Sequence, residues 1–171
     1  MAGQSDKADT TGDAAATSLD MPAFFPYRLA VVAEAVSQTM AAVYADRFAL
    51  TRQEWRVLAA LADRGPATAT EVAEYSTLDK MQVSRAVAAL EARGAVVRSP
   101  GAEDRRTKTL VMTPGGRDLF AAIVPLVLER QERLLAGFSP DERAVLATTI
   151  ERLLDSAGRL LADGGQAASD R

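Results

Sequence analysis

Apolar residues recur every three or four positions over most of this chain, and this spacing predicts a mainly helical protein. Four of the predicted helix starts carry a small polar residue followed three positions later by Glu or Gln. Such a pair can form a capping box, in which each side chain bonds the backbone N–H of the other residue. The predicted helices cover 22–48, 51–64, 68–75, a segment from Asp79 to the residue before Gly94, and two longer segments that begin at Thr113 and Ser139.

The pattern changes from helical spacing to β-prone residues after Gly94. Residues 95–99 and 107–112 form two such runs, and the segment 100–106 between them is rich in turn formers. The predicted fold is therefore mainly α, with a small β-hairpin wing after the fourth helix. The third helix, the short turn and the fourth helix have the length and polarity of a helix-turn-helix.

The fourth helix has two contrasting faces. Its apolar stripe consists of Val83, Ala86, Val87 and Leu90. The opposite face and its flanks carry short, polar and basic side chains, namely Lys80, Met81, Gln82, Ser84, Arg85 and Ala88. In a DNA major groove, Arg can pair with guanine, Gln with adenine, and a small side chain can lie against a thymine methyl group. A solvated surface helix is the alternative interpretation, and the helix alone does not decide between the two.

The tip of the expected hairpin carries two adjacent arginines, Arg105 and Arg106. Two cations side by side favour an anionic partner, and arginine is drawn into narrow minor grooves by their negative potential. Asp104 can brace one of the two through an ion pair, although an exposed pair contributes little energy. A polar helix followed by a basic wing is a more specific signal of DNA binding than either feature alone.

Charge is unevenly distributed along the chain, whose formal net charge is −3. Residues 79–108 carry seven basic and four acidic residues, a net charge of +3, whereas the remainder carries 13 basic and 19 acidic residues, a net charge of −6. Because binding depends on the local footprint, an acidic body does not exclude a nucleic-acid partner.

The chain contains no Cys and no His. This composition excludes disulfides, thiol chemistry and metal sites built on either residue, and it removes the commonest general base. No pair of carboxylates is placed as a catalytic pair would be. We therefore predict a protein that is not an enzyme and that needs neither a cofactor nor a metal.

The 171 residues suit one domain. We expect a disordered N-terminal arm over 1–20, a single folded domain over 21–162, and a flexible tail over 163–171. The chain lacks a secretion signal and an apolar run long enough for a membrane, so the predicted location is the cytoplasm and no membrane partner is expected.

The first and the last two helices carry more apolar surface than a compact middle of 51–112 can cover. A homodimer that buries 21–48 and 113–162 between two copies is the economical solution. Such a dimer would present two copies of the fourth helix related by a two-fold axis. That arrangement matches a pseudo-palindromic site in double-stranded DNA.

Four blocks of sequence, in this order and at this spacing, resemble the MarR (multiple-antibiotic-resistance regulator) family of winged-helix regulators over roughly 24–161. They are LTRQEWRVLAAL, DKMQVSRAVAALEARG, EDRR and TPGG. The resemblance implies a homodimer, recognition-helix contacts in the major groove and a wing arginine in the minor groove. By position, Arg106 completes an Asp-x-Arg pattern with Asp104, and Arg105 remains the alternative.

The resemblance also implies a small effector, often an aromatic carboxylate, bound between the dimerisation and DNA-binding parts. In this chain the expected crevice involves Tyr27, Arg28, Met40, Tyr44, Trp55 and Arg56. An aromatic wall with an arginine suits an aryl acid, because arginine binds a carboxylate through two hydrogen bonds. The alternative is that Tyr44 and Trp55 belong to the core and that Arg56 is solvated. The absence of Cys excludes the peroxide-sensing mechanism of other members.

The blocks FFPYRLA and DKMQVSRA are most similar to members that govern hydroxycinnamate and related aromatic-acid catabolism, some of which sense a CoA thioester. The hypothesis is a sequence-specific DNA-binding regulator, with repression favoured, of an aromatic-compound catabolic or efflux operon. A small aromatic acid or its CoA thioester would release it from DNA. The alternative hypothesis is a winged-helix protein-interaction module that does not bind DNA.

Overall fold

The computed structural model describes residues 19–100 and 108–169, with side chains described as far as 163, and its mainly helical architecture confirms the predicted fold class. Six helices and three strands follow one another along the described ranges. They are α1 (Phe25–Phe48), α2 (Arg52–Arg64), β1 (Ala67–Thr68), α3 (Ala69–Ser76), α4 (Lys80–Ala92), β2 (Val96–Pro100), β3 (Lys108–Met112), α5 (Pro114–Leu134) and α6 (Pro140–Ser169). None of the helices in these ranges combines the length and the apolar character that crossing a bilayer requires.

The predicted helix starts are confirmed at the level of individual hydrogen bonds. The side chains of Thr51, Thr68 and Asp79 each accept the backbone N–H of the residue three positions later, whose own side chain accepts the first residue's N–H. Ser139 forms the same reciprocal pair with Glu142 before α6. Each box satisfies two backbone donors that a helix start would otherwise leave without partners.

The sheet has three strands, in the order β1-β3-β2, whereas the sequence predicted only the hairpin of β2 and β3. The hairpin pairs antiparallel from Val96 opposite Met112 to Pro100 opposite Lys108. Pro100, predicted to lie in the loop, instead ends the edge strand, where its missing N–H is tolerated. The additional strand β1 was missed because two residues show no periodicity and their pairing with Leu110 and Thr109 is long-range.

The chain divides into two units, one ending at Gln38 and one beginning at Thr39, and each is described by itself. The hydrophobic core lies in the second unit, where α2, α3, α4 and the sheet enclose it. Val57 and Leu58 of α2 and Leu90 of α4 are completely buried. The three apolar positions predicted to face inward on α2, Val57, Leu58 and Leu61, therefore do so.

The start of α5 is fixed against the preceding hairpin. Thr113 caps the helix by accepting the N–H of Gly116, and its hydroxyl donates to the carbonyl of Gly94. A Cβ at position 116 would collide with the carbonyl oxygen of Ala95, so only glycine fits there. The TPGG block thus allows close backbone contact between α5 and the beginning of β2. Beyond it, α5 continues through Pro125 to Leu134.

The terminal helices retain exposed apolar side chains, as predicted. On α6 and the end of α5 these are Val145, Leu146, Ile150, Leu154, Leu160, Leu161, Leu128 and Leu134. In the first unit, the beginning of α1 exposes Phe25, Tyr27, Leu29, Val31 and Val32. These helices therefore carry apolar surface that lies outside the core of the second unit.

The C-terminal boundary differs from the prediction. Helix α6 extends to Ser169, so the segment from 163 that was expected to be a flexible tail is helical nearly to the end of the chain. Alanines in this segment favour a helix and offset the cost of its two glycines, and polarity alone does not end a helix. The predicted N-terminal arm lies outside the described residues except for 19–20.

Candidate nucleic-acid interface

The two predicted faces of α4 are both present. Its apolar stripe is buried, with Val83 and Val87 about as enclosed as Leu90. The reading face, which we define as Lys80, Met81, Gln82, Ser84, Arg85 and Ala88, is exposed apart from a half-buried Gln82. A helix that buries one side in its own core and presents the other to solvent has the geometry required of a groove-binding helix.

Hydrogen bonds within the reading face orient two of its side chains. The Oε1 atom of Gln82 accepts the N–H of Asp79 at 3.0 Å, which leaves its amide Nε2 group as the donor outside the capping box. The guanidinium of Arg85 donates to the sulfur of Met81 at 3.2 Å, one turn earlier on the helix. The long Arg85 side chain is therefore directed back toward the N-terminal end of α4, where a major-groove helix contacts base edges.

The wing is connected to α4 by an ion pair. Arg98 on β2 donates to both carboxylate oxygens of Glu91, at 3.1 and 3.2 Å. Both side chains are partly exposed, so the pair contributes little to stability. Its effect on the site is to pair Glu91, the acidic residue within α4, with a cation on the hairpin.

The predicted wing arginines, Arg105 and Arg106, and their brace Asp104 lie outside the described residues. The two strands that lead to them are described, and Lys108 at the start of β3 is exposed.

Two arginines hold the ends of α4. The Nη1 atom of Arg56 on α2 donates to the carbonyl of Ser76 at 3.2 Å and to the hydroxyl of Thr77 at 3.0 Å, in the turn before α4. Arg93, which follows α4, donates to the carbonyls of Phe48 and Ala49 at the end of α1. Sequence reasoning assigned Arg56 to the effector crevice and did not single out Arg93. These contacts join residues 20 to 45 positions apart, a relation that no local pattern reveals.

Three aromatic rings from three helices form a continuous aromatic stack. The ring centres of Tyr44 and Trp55 are 5.6 Å apart, and those of Trp55 and Phe120 are 5.3 Å apart, with the ring planes nearly parallel. Burial raises the pKa of the Tyr44 phenol above its usual value, while the charges of Arg52 and Arg56 act in the opposite direction. Tyr44 is thus a core residue that joins α1 to α2, with Trp55 in the middle of the stack.

The other predicted effector residues are placed as follows. Met40 packs against the same core, partly buried. Tyr27 and Arg28 lie on the first part of α1, in the unit that ends at Gln38, and both are exposed. The structure therefore gathers Met40, Tyr44 and Trp55 in one core, and it engages one nitrogen of Arg56 with the turn before α4.

A cavity of about 450 Å³ opens beside Phe120, and sequence reasoning did not identify it. We call it the Phe120 cavity. Its wall is mainly apolar, with one basic side chain, and is formed by Leu61, Ala62, Gly65, Pro66, Val111, Met112, Arg117 and Phe120. Arg117 is held at the rim because its Nη1 atom donates to the carbonyl of Met112 at 2.9 Å. The cavity lies between α2, β3 and α5, so Phe120 borders both it and the aromatic stack.

Within residues 19–100 and 108–169, no group of three or more carboxylate, His or Cys side chains is arranged to hold a metal ion.

Comparison with known proteins gives a consistent family. The family profile described as "MarR family" matches residues 50–107. An uncharacterised HTH-type transcriptional regulator, YxaD of Bacillus subtilis, is 33% identical over 104 residues, which cover 61% of this chain and 73% of YxaD. The HTH-type transcriptional repressor NicR of Pseudomonas putida is 28% identical over 107 residues, covering 63% of this chain and 68% of NicR. These relatives are transcriptional regulators and not enzymes, as predicted.

Solved structures share the fold. The Bordetella bronchiseptica regulator BpsR, studied for the regulation of its DNA binding by 6-hydroxynicotinic acid, superposes with a TM-score of 0.72 at 23% identity, covering 81% of this chain and 98% of BpsR. MepR of S. aureus, solved as a DNA complex, gives a TM-score of 0.67 at 19% identity, covering 78% of this chain and 96% of MepR.

Proposed function

This chain belongs to the MarR family of DNA-binding transcriptional regulators, and from this premise we propose that it is a dimeric repressor released from its operator by a small aromatic acid. The observation that carries the proposal is the reading face of α4, an exposed set of basic and short polar side chains on a helix whose other side is fixed in the core. The cytoplasm remains the proposed location of a protein that binds an operator.

In this proposal the N-terminal half of α4 enters the major groove. Arg85 is the candidate for a guanine, Gln82 for an adenine through its Nε2 group, and Ala88 for a thymine methyl group. Lys80, Met81 and Ser84 complete the contact. The wing would follow the backbone to the minor groove, where Arg106, or alternatively Arg105, would insert.

Dimerisation is supported by the apolar side chains that α5 and α6 leave exposed. Contiguous apolar surface of this extent on a helix marks an interaction site. Regulators of this family bind DNA as dimers. A two-fold dimer would place the two α4 helices about one turn of DNA apart, which requires a pseudo-palindromic operator.

The effector proposed is an aromatic carboxylic acid, with the CoA thioester of such an acid as the alternative form. Two observations support this class. The structurally similar BpsR is regulated by 6-hydroxynicotinic acid, an aromatic acid. In this chain, the Phe120 cavity combines apolar walls with the guanidinium of Arg117, which suits a ring that bears a carboxylate. The residues proposed from sequence for the effector do not line this cavity and remain alternative candidates; they are Tyr27, Arg28, Met40, Tyr44, Trp55 and Arg56.

Release requires that the effector bind one conformation of the dimer more tightly than the other. The DNA-bound conformation matches the spacing of the two half-sites. An aryl acid beside Phe120 would press on the aromatic stack and favour a dimer in which the α4 helices no longer match that spacing. The regulated operon would accordingly belong to the catabolism or efflux of aromatic compounds.

Operator binding tests the reading face directly. A duplex selected from a random library by the protein itself serves as the operator, and a random duplex of equal length serves as the control. Arg106→Ala should weaken operator binding by about 1–3 kcal/mol, and Arg85→Ala should do so and also relax the preference for the operator. Fluorescence anisotropy over a range of salt concentrations measures both. Unchanged binding in both variants contradicts the proposed surface, and a shallow salt dependence favours the interaction module instead.

A further inference from the structure

Resting on the proposed role of α4 as the recognition helix, we propose that Arg56 and Arg93 are positioning residues for operator recognition. Neither is needed to contact a base. Each uses its guanidinium to bind backbone carbonyls of a neighbouring element, and together they fix the two ends of α4 relative to α2 and α1.

At the N-terminal end, Arg56 stabilises an unusual turn. Thr77 has a φ of +55°, in the left-handed region that β-branched residues rarely occupy. Its hydroxyl donates to the carbonyl of Ser76 at 2.7 Å, and Arg56 donates to both of these oxygen atoms. Ser76 itself is buried, and its hydroxyl donates to the carbonyl of Val72. The turn that sets the angle between α3 and α4 is therefore held from α2 through one guanidinium.

At the C-terminal end of α4, Arg93 binds the backbone carbonyls at the end of α1. It makes three hydrogen bonds, to the carbonyl of Phe48 at 3.0 and 3.1 Å and to that of Ala49 at 2.9 Å. The last carbonyls of a helix lack partners within the helix and carry partial negative charge, so a cation is favoured there. Ala49 has a φ of +50°, another left-handed residue without the freedom of glycine. The residue that ends α4 thus holds the residues that end α1.

Both arginines connect α4, or the turn before it, to a helix of the aromatic stack. Arg56 directly follows Trp55 on α2, and the carbonyls held by Arg93 lie four and five residues after Tyr44. The elements that carry the stack are therefore the elements to which α4 is tied.

The competing explanation is that these arginines only contact DNA phosphate. The two roles respond differently to lysine, which keeps the positive charge but is one bond shorter and has a single terminal nitrogen. At position 56 lysine loses the reach of the Nη1 atom that makes both bonds, and at position 93 it also loses the fork of two donors. A phosphate contact tolerates lysine, and its loss weakens binding to every sequence and lowers the salt slope. A positioning contact does not tolerate lysine, and its loss affects the operator more than random DNA because only the operator requires aligned base contacts.

The test compares Arg56→Lys and Arg93→Lys with two controls, using the full chain and the two duplexes described above. Arg143→Lys is the matched control, because Arg143 also donates to backbone carbonyls, those of Leu135 and Phe138, but holds the turn between α5 and α6. Arg85→Ala tests the reading face itself. Circular dichroism and urea unfolding check that each variant is folded. Thr77→Ala, which removes the hydroxyl that accepts from Arg56, probes the same turn without altering the arginine.

We expect each lysine variant at 56 and 93 to lower the ratio of operator to random-duplex affinity about tenfold, in line with the loss of charge-assisted hydrogen bonds. Thr77→Ala should lower the ratio in the same direction. The salt slope on random DNA and the ratio for Arg143→Lys should stay at the values of the unmodified protein.

Two results would overturn the inference while leaving the proposed function intact. The first is an unchanged ratio in both lysine variants and in Thr77→Ala, with a lowered ratio in Arg85→Ala. The second is equal weakening on both duplexes with a lowered salt slope in Arg56→Ala and Arg93→Ala, while the two lysine variants bind as the unmodified protein does, which would identify phosphate contacts. If Arg85→Ala also leaves operator binding unchanged, α4 is not the recognition helix, and the proposed function and the inference fail together.

Discussion

Helices α4 and α6 begin with the same capping motif, but their apolar faces lie in different environments. Each opens with a reciprocal capping box, Asp79 with Gln82 in α4 and Ser139 with Glu142 in α6, and each carries a regular apolar stripe. The stripe of α4 is buried within its own chain, whereas Val145 and Leu154 of α6 are each 67% exposed. Local signals therefore specify the helix, and the surrounding structure decides whether its apolar face is already covered.

This difference separates the region proposed to contact DNA from the region proposed to form the dimer. The region around α4 completes its core within one chain, so the reading face rests on a rigid support. The region around α6 leaves its apolar face for a partner, and in the proposed dimer that partner is a second copy. Stability of the recognition unit and assembly of the dimer should consequently respond to different substitutions.

Truncation of the α4 stripe should produce the largest loss of stability. Leu90→Ala removes a completely buried side chain and leaves a cavity, so the free energy of unfolding should fall by about 2–5 kcal/mol. Urea denaturation followed by circular dichroism measures this. Met81→Ala, on the exposed face of the same helix, is the matched control and should change stability by less than about 0.5 kcal/mol. Equal losses in the two variants would mean that α4 does not bury the stripe.

A charge among the exposed apolar side chains of α6 should weaken dimerisation without lowering the stability of the core. Ile150→Asp would bury an unpaired carboxylate in the proposed dimer interface, raising the dimer dissociation constant at least about a hundredfold, or about 2.7 kcal/mol. Sedimentation equilibrium measures the change. Thr148→Asp introduces the same charge at an exposed position on the opposite side of α6 from Ile150 and should leave the dimer intact. A dimer unaffected by Ile150→Asp would remove α6 from the interface.

The smallest effect is expected at the two capping carboxylates, Glu71 and Glu142. The pKa of each is lowered by the same kind of hydrogen bonds. Backbone and side-chain hydrogen bonds from Thr68 lower the pKa of Glu71, and those from Ser139 lower the pKa of Glu142. Because the folded pKa lies below the usual 4.5, the contribution of each box is present above that pH and is lost as the pH falls through the lowered value.

Carbon-13 NMR titration of the two carboxyl groups measures these pKa values directly. Thr68→Ala should return the pKa of Glu71 toward 4.5 and leave that of Glu142 unchanged. If the titration of Glu71 were indifferent to the loss of the Thr68 hydroxyl, that hydroxyl would not contribute to the lowered pKa, which would then rest on the backbone N–H of Thr68.

Much of the fold and part of the site followed from local sequence. The capping boxes act over three residues, so the amino-acid order alone located four helix starts, and the reading face followed from the helical period. The strand β1 could not be predicted, because two residues become a strand only when Leu110 is brought beside them. The predicted end of α6 was wrong, since a polar composition does not by itself stop a helix.

The site residues also differ in whether local sequence or distant contacts determine their positions. The helical period predicted that Lys80, Ser84 and Arg85 share a face away from the apolar stripe of α4, and the three side chains are exposed there. The position of Arg56 could not be predicted, since its partners lie on a turn that is distant in sequence. The Phe120 cavity was missed for a similar reason, as its walls come from α2, β3 and α5, which are separated along the chain.

The sequence by itself determined the mainly helical fold, the helix starts and the basic, polar side of α4, because hydrogen bonding at helix ends and helical spacing are local interactions. Only the tertiary structure decided which apolar faces are buried, where Arg56 and Arg93 bind, and that Tyr44, Trp55 and Phe120 stack. Those outcomes depend on which distant segments become neighbours, and that is settled by packing of the whole core.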